Sequence, residues 1–289
     1  MRRLILFLLV AGLAFAGLGF WTAVQDPQVV RYRLAISGLS APVRIVQLSD
    51  SHVGSIDMPA SRLARVVAQM NALKPDLVLL TGDYVSGNPD KWSLAQTRAA
   101  LEPFKALQAP LGVFAVLGNH DDPAKTTTAL AGSPVRLLVG ARAHAGPLQI
   151  VGVDDITRGS PAVERMRSIV RAAPLDMPML VVVHRPTWIE WLPGRPSVLM
   201  IGGHTHGGQL KVPIIGAWAI NEFYATHQRG IFIEGPHRLM VSSGLGTTNL
   251  PMRIGVPPEI VELTLVPASA GSGSRTLTDQ PGRNSGTDK

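Results

Sequence analysis

Asp50 with His52, then Asp83, Asn119 with His120 and Asp121, His184, and finally His204 with His206 form five short clusters. Each cluster directly follows an apolar run of β type. Imidazole, carboxylate and amide oxygen are the donors that hold divalent cations, and the chain has no cysteine, so any metal must be held by nitrogen and oxygen. Taken singly, several clusters are ambiguous. Asp50 and His52, two apart, share a face of an extended strand, yet an Asp-x-His pair is often a solvated turn. Gly82-Asp83 is also a common turn or helix cap. His184 after Leu-Val-Val-Val would by itself be a strand-end or core histidine. Gly118-Asn119-His120-Asp121 is more telling, because an amide, an imidazole and a carboxylate have little structural reason to follow one strand together. Gly203-His204-Thr205-His206-Gly207-Gly208 is the most specific, since glycines on both sides of two imidazoles allow close backbone approach and unusual dihedrals. Five of the eight histidines fall in these clusters, whereas His144, His227 and His237 sit in loop-like or surface contexts and are read as bystanders. The chemistry such a set suits is hydrolysis assisted by two metal ions.

The elements that must position these groups are short apolar runs at 44–49, 77–81, 113–117, 180–183 and 198–202, suited to strands buried on both faces. Helical spacing joins the early ones, over Pro59–Leu73 and Ser93–Leu107, which predicts parallel βαβ crossovers. After His206 the pattern changes to β runs separated by Gly and Pro, at 209–212, 230–234, 238–242 and 260–266, expected to be antiparallel. The fold class that follows is α/β, with two packed mixed β-sheets flanked by helices and the ligands gathered at one sheet edge, where strand-end turns aim side chains into a common crevice.

The 289 residues, with no repeat, fit one catalytic domain expected over residues 31–266. The net charge of +7 is scattered and not interleaved with aromatics, so no nucleic-acid partner is expected. Residues 1–30 hold an almost unbroken apolar stretch from Leu4 to Val24, which as a helix would rise about 31 Å, close to the thickness of the hydrocarbon core. It is read as a transmembrane anchor, with a cleaved signal peptide ending near Ala14-Phe-Ala16 as the rival. Arg2 and Arg3 ahead of it favour a cytoplasmic N-terminus and a catalytic domain on the outer side. Residues 267–289, built from Ser, Gly, Thr, Pro, Asp and Arg, are expected to be a disordered tail.

Taken together, Asp50-x-His52, Gly82-Asp83, Gly118-Asn119-His120-Asp121, His184 and Gly203-His204-x-His206 resemble the calcineurin-like metallophosphoesterase family across nearly the whole folded region. The longer Gly-His-Thr-His-Gly-Gly-Gln string, with Ser243-Gly-Leu-Gly-Thr-Thr and Pro257-Pro-Glu-Ile, is similar to the bacterial single-span branch. That branch includes cell-wall-associated phosphoesterases and enzymes acting on a lipid A precursor. The resemblance implies two divalent ions (Mn, Fe, Zn or Co), one held by Asp50, His52 and His206, the other by Asn119, His184 and His204, with Asp83 between them. It implies hydrolysis of a phosphate ester, phosphodiester or pyrophosphate by a water bridging the metals, with His120 as the partner of the phosphate or donor to the leaving oxygen. Two departures stand out. Ser51 replaces the usual apolar residue, and Ser86 stands where the phosphoprotein phosphatase branch has an aspartate supporting the catalytic imidazole, which points to Asp121 as the group orienting His120. Arg185 is a candidate for substrate phosphate, and Trp188, Trp191 and Leu192 for an apolar wall or simple core packing. The expected partners are a phosphorylated small molecule or lipid, such as UDP-2,3-diacylglucosamine, and the bacterial inner membrane through the N-terminal helix. A scaffold of the same fold that binds metal without turnover is the alternative.

Overall fold

The computed structural model describes residues 1–153, 155, 160–212, 216–217 and 222–268. The tail expected from residue 267 lies, from 269 onward, outside the described residues. The strands are β1 (Gln28–Ile36), β2 (Val43–Leu48), β3 (Leu77–Leu80), β4 (Val113–Ala115), β5 (Val135–Leu137), β6 (Ala141–Ala145), β7 (Leu148–Gly152), β8 (Met179–Val182), β9 (Val198–Gly202), β10 (Lys211–Val212), β11 (Gly216–Ala217), β12 (Gly230–Glu234), β13 (His237–Val241) and β14 (Glu259–Pro267). The helices are α1 (Arg2–Val24), α2 (Ala60–Ala72), α3 (Leu94–Leu101), α4 (Pro123–Leu130), α5 (Ser160–Ala172) and the short α6 (Glu222–Thr226).

Two six-stranded sheets run in the orders β1-β14-β2-β3-β4-β5 and β12-β13-β9-β8-β7-β6. Strand alternation explains how they stack. Val46, Leu48, Val78 and Leu80 turn toward Leu63, Val66, Val67 and Met70 of α2, which recur at helical spacing. Their neighbours Ile45, Leu77, Leu79 and Phe114 face Leu180, Val182, Leu199 and Ile201 of the second sheet. Val181 and Met200 in turn pack with Met166 and Val170 of α5. Apolar contact on both faces of the central strands is why they read as continuous apolar runs. The layers are helix, sheet, sheet and helix, as expected.

The late strands are not all antiparallel. β13 pairs antiparallel with β12 but parallel with β9, and β14 is antiparallel to β2 but parallel to β1. Hydrophobic pattern specifies which face is buried, not which neighbour a strand selects, so this pairing had no local signal.

β2, β3 and β4 run parallel, as do β8 and β9, so both sets end at one edge of the sandwich. Polar groups lock the sheets together there. Gln47, fully buried in β2, donates from Nε2 to Gly202 O of β9 (2.8 Å) and to Thr81 Oγ1 (3.0 Å). The Tyr84 hydroxyl donates to Val116 O (2.6 Å), with Leu80 O at 3.1 Å as a second, longer acceptor of the same hydrogen, tying the turns after β3 and β4.

α1 is one continuous helix through Ala14–Ala16 to Val24, and among the described residues it is the one helix long and apolar enough to cross a bilayer. Its large apolar residues from Leu4 to Trp21 are mostly exposed, while Gly19 and Ala23 are buried against the rest of the protein. The chain leaves α1 at Val24 and enters β1 at Gln28, a shorter connection than the domain boundary at residue 31 implied.

Candidate metal centre

All the sequence-selected residues lie at the shared sheet edge. Asp50 and His52 follow β2, Asp83 follows β3, Asn119 to Asp121 follow β4, His184 follows β8, and His204 and His206 follow β9. The backbone there is unusual. Asp50, His52, Asp83, His204 and His206 all have positive φ, between 45° and 69°. Left-handed backbone is uncommon outside glycine and costs on the order of 1–3 kcal/mol per residue, so five such residues in one place must be imposed by their surroundings. The glycines beside them permit the approach. A Cβ at Gly118 would lie 2.2 Å from Asp83 Oδ1, and one at Gly203 would lie 2.5 Å from Asp50 Oδ2.

Two ligand groups result. Asp50, His52 and His206 bring one donor atom each to a common point, and Asp83, His184 and His204 do the same beside them. In the first group His52 Nε2 and His206 Nε2 are 3.2 Å apart, and His206 Nε2 lies 3.6 Å from Asp50 Oδ1. In the second, His184 Nε2 lies 3.1 Å from both His204 Nδ1 and Asp83 Oδ2. Asp83 Oδ2 is also 3.6 Å from His52 Nε2, so this one carboxylate faces both groups. The Asp50 carboxylate accepts the backbone N–H of His204 at 3.0 Å, a second link between them. His184 donates from Nδ1 to Thr81 O at 2.8 Å, which fixes its tautomer and turns Nε2 into the site.

Burial sets the electrostatics. It lowers His52, it drives His204 down to about 2 with help from the nearby His184, and it holds His206 well below the usual imidazole range, with His52 and Arg253 adding to the effect. These three rings are neutral, the form that ligates metal. His184 differs. Burial disfavours its charge, but the charge of Asp83 and the hydrogen bond to it outweigh burial and raise His184 to about 10. The reciprocal pull of His184 holds Asp83 ionised against its own burial.

His120 and Asp121 part company. The His120 ring stands edge-on to His52 with centroids 5.0 Å apart, and its Nδ1 donates to Gly87 O at 2.5 Å. The carbonyl of Gly87, not the carboxylate of Asp121, orients the ring. Asp121 is buried and accepts the backbone N–H groups of Asp83, Tyr84 and Gly118, all at 2.8 Å. The reason is steric: three amides converge behind the turn and occupy both carboxylate oxygens. Ser51 is buried and donates to Tyr84 O, so the polar substitution serves packing. Arg185 directs Nη1 toward Asp155 at 3.5 Å, and Asp155 accepts from Trp188 Nε1 at 2.7 Å. Trp188 and Leu192 are core residues and Trp191 is partly exposed. His144, His227 and His237 belong to neither ligand group.

Sequence reasoning missed Arg253. It is fully buried, and its guanidinium donates to Ser243 O (2.9 Å), Gly246 O (2.6 Å) and Val256 O (3.3 Å), with Nη2 3.4 Å from His206 Nδ1. Burial lowers it to about 10, so it remains charged at neutral pH. The same loop packs on the ligands through Gly244, whose Cβ would meet Asp50 at 2.7 Å, and Gly246, whose Cβ would meet Ser51 O at 2.5 Å. Glu259 closes it by accepting from Ser243 N–H at 2.7 Å. A lone arginine between Met252 and Ile254 has no signal in composition; only its apolar neighbours hinted at burial.

The fold and this edge define a hydrolase of phosphoric esters. The chain belongs to the calcineurin-like phosphoesterase family, whose profile matches residues 43–208. It is 30% identical to the metallophosphoesterase YkuE of Bacillus subtilis over 77% of this chain and 78% of that protein. It is 31% identical to the phosphodiesterase YaeI of Escherichia coli over 83% and 88%. A transmembrane protein with metallophosphoesterase domain from Danio rerio is 27% identical over 91% of this chain and 63% of its own length.

The residues fit the pair of divalent cations that the family implies. Asn119 Oδ1 is a buried oxygen with no hydrogen-bond partner, an unmet acceptor that a cation would satisfy. Two pairs of imidazole nitrogens face one another at 3.1–3.2 Å beside carboxylates, an arrangement of nitrogen and oxygen donors suited to divalent transition metals. Because His184 is protonated below about 10, ligation must displace its proton, so metal binding strengthens as pH rises toward that value. Titrating the metal-free chain with Mn²⁺ in weakly buffered indicator at mildly alkaline pH is expected to release about one proton per chain. Metal uptake without proton release would contradict the charge assigned to His184.

Proposed function

We propose that the chain hydrolyses a phosphodiester or pyrophosphate, with Asp50, His52 and His206 holding one ion, Asn119, His184 and His204 the other, and Asp83 bridging. The observation that carries this reading is the Asp83 carboxylate, within 3.1 Å of a nitrogen of one group and 3.6 Å of a nitrogen of the other. When bound, a pair of divalent cations clamps phosphoryl oxygens and activates a water nucleophile. The protein's own groups do the rest. His120, with Nδ1–H held by Gly87 O, presents Nε2 to the phosphoryl group or the leaving oxygen. Its backbone N–H donates to Asp83 Oδ1 at 2.8 Å, so the acid and the bridging carboxylate are fixed relative to each other. Asp121 acts as a positioning residue by holding the turn that carries Asp83.

The name phosphodiesterase carried by the E. coli relative supports a diester. A lipid or cell-envelope substrate is favoured by α1: UDP-2,3-diacylglucosamine is the specific lipid proposed for a domain that faces the cytoplasm, where that precursor is made, and wall-polymer phosphodiesters or soluble nucleotides are its competitors for a domain that faces outward. The full chain is expected to hydrolyse a chromogenic phosphodiester with added Mn²⁺ and to lose that activity to a chelator. Asp83→Asn lowers metal content and rate together, whereas His120→Ala keeps both metals and loses about 10²–10⁴-fold in turnover. Two metals bound with no turnover on monoester, diester or pyrophosphate would favour a non-catalytic scaffold.

The same reading places the chain in the bacterial inner membrane, spanning once, with the hydrolase domain outside, since Arg2 and Arg3 precede the apolar stretch of α1. A tag on the C-terminus is then cut by protease added to spheroplasts. Protection of the tag until lysis would put the centre in the cytoplasm and favour the lipid precursor over wall polymers.

A further inference from the structure

We propose that the rim of the metal centre, formed by the turns carrying Ile56 and Leu250, sits in the headgroup layer of the bilayer that holds α1. The centre then opens onto the membrane surface. This rests on α1 lying in a bilayer, and two independent features of the fold lead from there.

The first is topological. β2 runs toward the ligand edge, β14 is antiparallel to β2, and β1 is parallel to β14. β1 therefore starts at the ligand edge, with Gln28 beside Glu259, and only three residues separate it from the end of α1. The connection is not a loose tether. Arg62 donates to Gln25 O, Gln69 Nε2 donates to Pro27 O at 3.0 Å, and Gln28 N–H donates to Pro258 O at 2.9 Å. The anchor is thus fastened to the domain on the side of the metal centre.

The second is a contact within the apolar helix itself. The backbone N–H of Arg253 donates to Gly19 O at 2.9 Å, and Met252 and Ile254 pack on Gly19 so closely that a Cβ there would lie 3.0–3.1 Å from them. Gly19 is five residues before the helix end, about 7.5 Å along the axis, and Trp21 marks the depth where aromatic side chains settle at the water boundary. Met252 is therefore held at or below the headgroup level. Leu250, two residues earlier, is 51% exposed, and Ile56 is 76% exposed, both costly in water and both suited to that layer.

These apolar residues border the openings of the centre. Leu250 lines a cavity of about 360 Å³ shared with His204, His206 and Leu210. Ile56 lines a second, of about 340 Å³, shared with His52 and His120. Asn249 and Thr248 stand between the two cavities. A phosphoryl group carried at the lipid–water boundary would reach His120 without leaving it.

The chain has no cysteine, so single substitutions label cleanly. Full-length Leu250→Cys, Ile56→Cys, Leu9→Cys and Leu175→Cys would each carry a nitroxide in vesicles of phosphatidylethanolamine and phosphatidylglycerol. Relaxation by oxygen, concentrated in lipid, is compared with relaxation by a water-soluble nickel chelate. Leu9 reports the anchor, and Leu175, 70% exposed before β8 at the opposite sheet edge, reports water. The expected oxygen-to-nickel ratio is highest at position 9, and at positions 250 and 56 several-fold above that at 175. A lipid signal at 9 with 250 and 56 equal to 175 would overturn the inference alone. A water signal at 9 would overturn the anchor on which it rests.

Discussion

The buried Asp121 carboxylate accepts three backbone N–H groups from two different turns, and the ligand geometry depends on that convergence. Gly118 N–H comes from the turn after β4, and Asp83 and Tyr84 N–H from the turn after β3. Each of these bonds contributes roughly 0.5–1.5 kcal/mol, and together they hold Asp83 in a left-handed conformation that its own backbone resists. With Asp83 so held, its carboxylate stands between the two groups of ligands, and its Oδ1 accepts the His120 N–H. Without it the two turns would be joined, among the described residues, only by the His120 N–H on Asp83 and the Tyr84 hydroxyl on Val116 O.

The second sheet is registered on the first by equally specific contacts. His184 and Gln47 each bond across the interface, to Thr81 O and Gly202 O. The imidazoles of β8 and β9 are thereby set against carboxylates from β2 and β3. Behind the first group, Arg253 fills the space under His206 with a cation that gathers the carbonyls of Ser243, Gly246 and Val256. A buried cation beside a neutral imidazole reinforces the neutral, metal-ready form of His206. The same residue's backbone reaches Gly19, so the centre and α1 share one loop.

Much of the site was legible in the sequence because the physics that buries a strand on both faces writes an uninterrupted apolar run, and a polar cluster at its end then stands out. Asp50, His52, Asp83, Asn119, His120, His184, His204 and His206 all lie where those runs end. The helix α2 was legible from apolar spacing and the Ser93–Gln96 capping box fixes the start of α3, but the helix expected to reach Leu107 ends at Leu101, where Pro103 turns the chain into a short 3₁₀ helix over Glu102–Ala106. Three things were not legible. The partner of Asp121 depends on backbone amides that no side-chain pattern encodes. The pairing of β1 with β14 joins residues from opposite ends of the chain, a choice made by tertiary packing. Arg253 is buried by a loop whose Gly and Pro content resembles surface, so its role emerges only from the carbonyls around it.

The central claim is a pair of ion positions sharing the Asp83 carboxylate, and diffraction from Mn²⁺-loaded crystals at the metal absorption edge tests it most directly. The account predicts two anomalous peaks roughly 3.5–4 Å apart. One is bordered by Asp50, His52 and His206, the other by Asn119, His184 and His204, with Asp83 touching both. A single peak, or two peaks with Asp83 turned away from either, would contradict it.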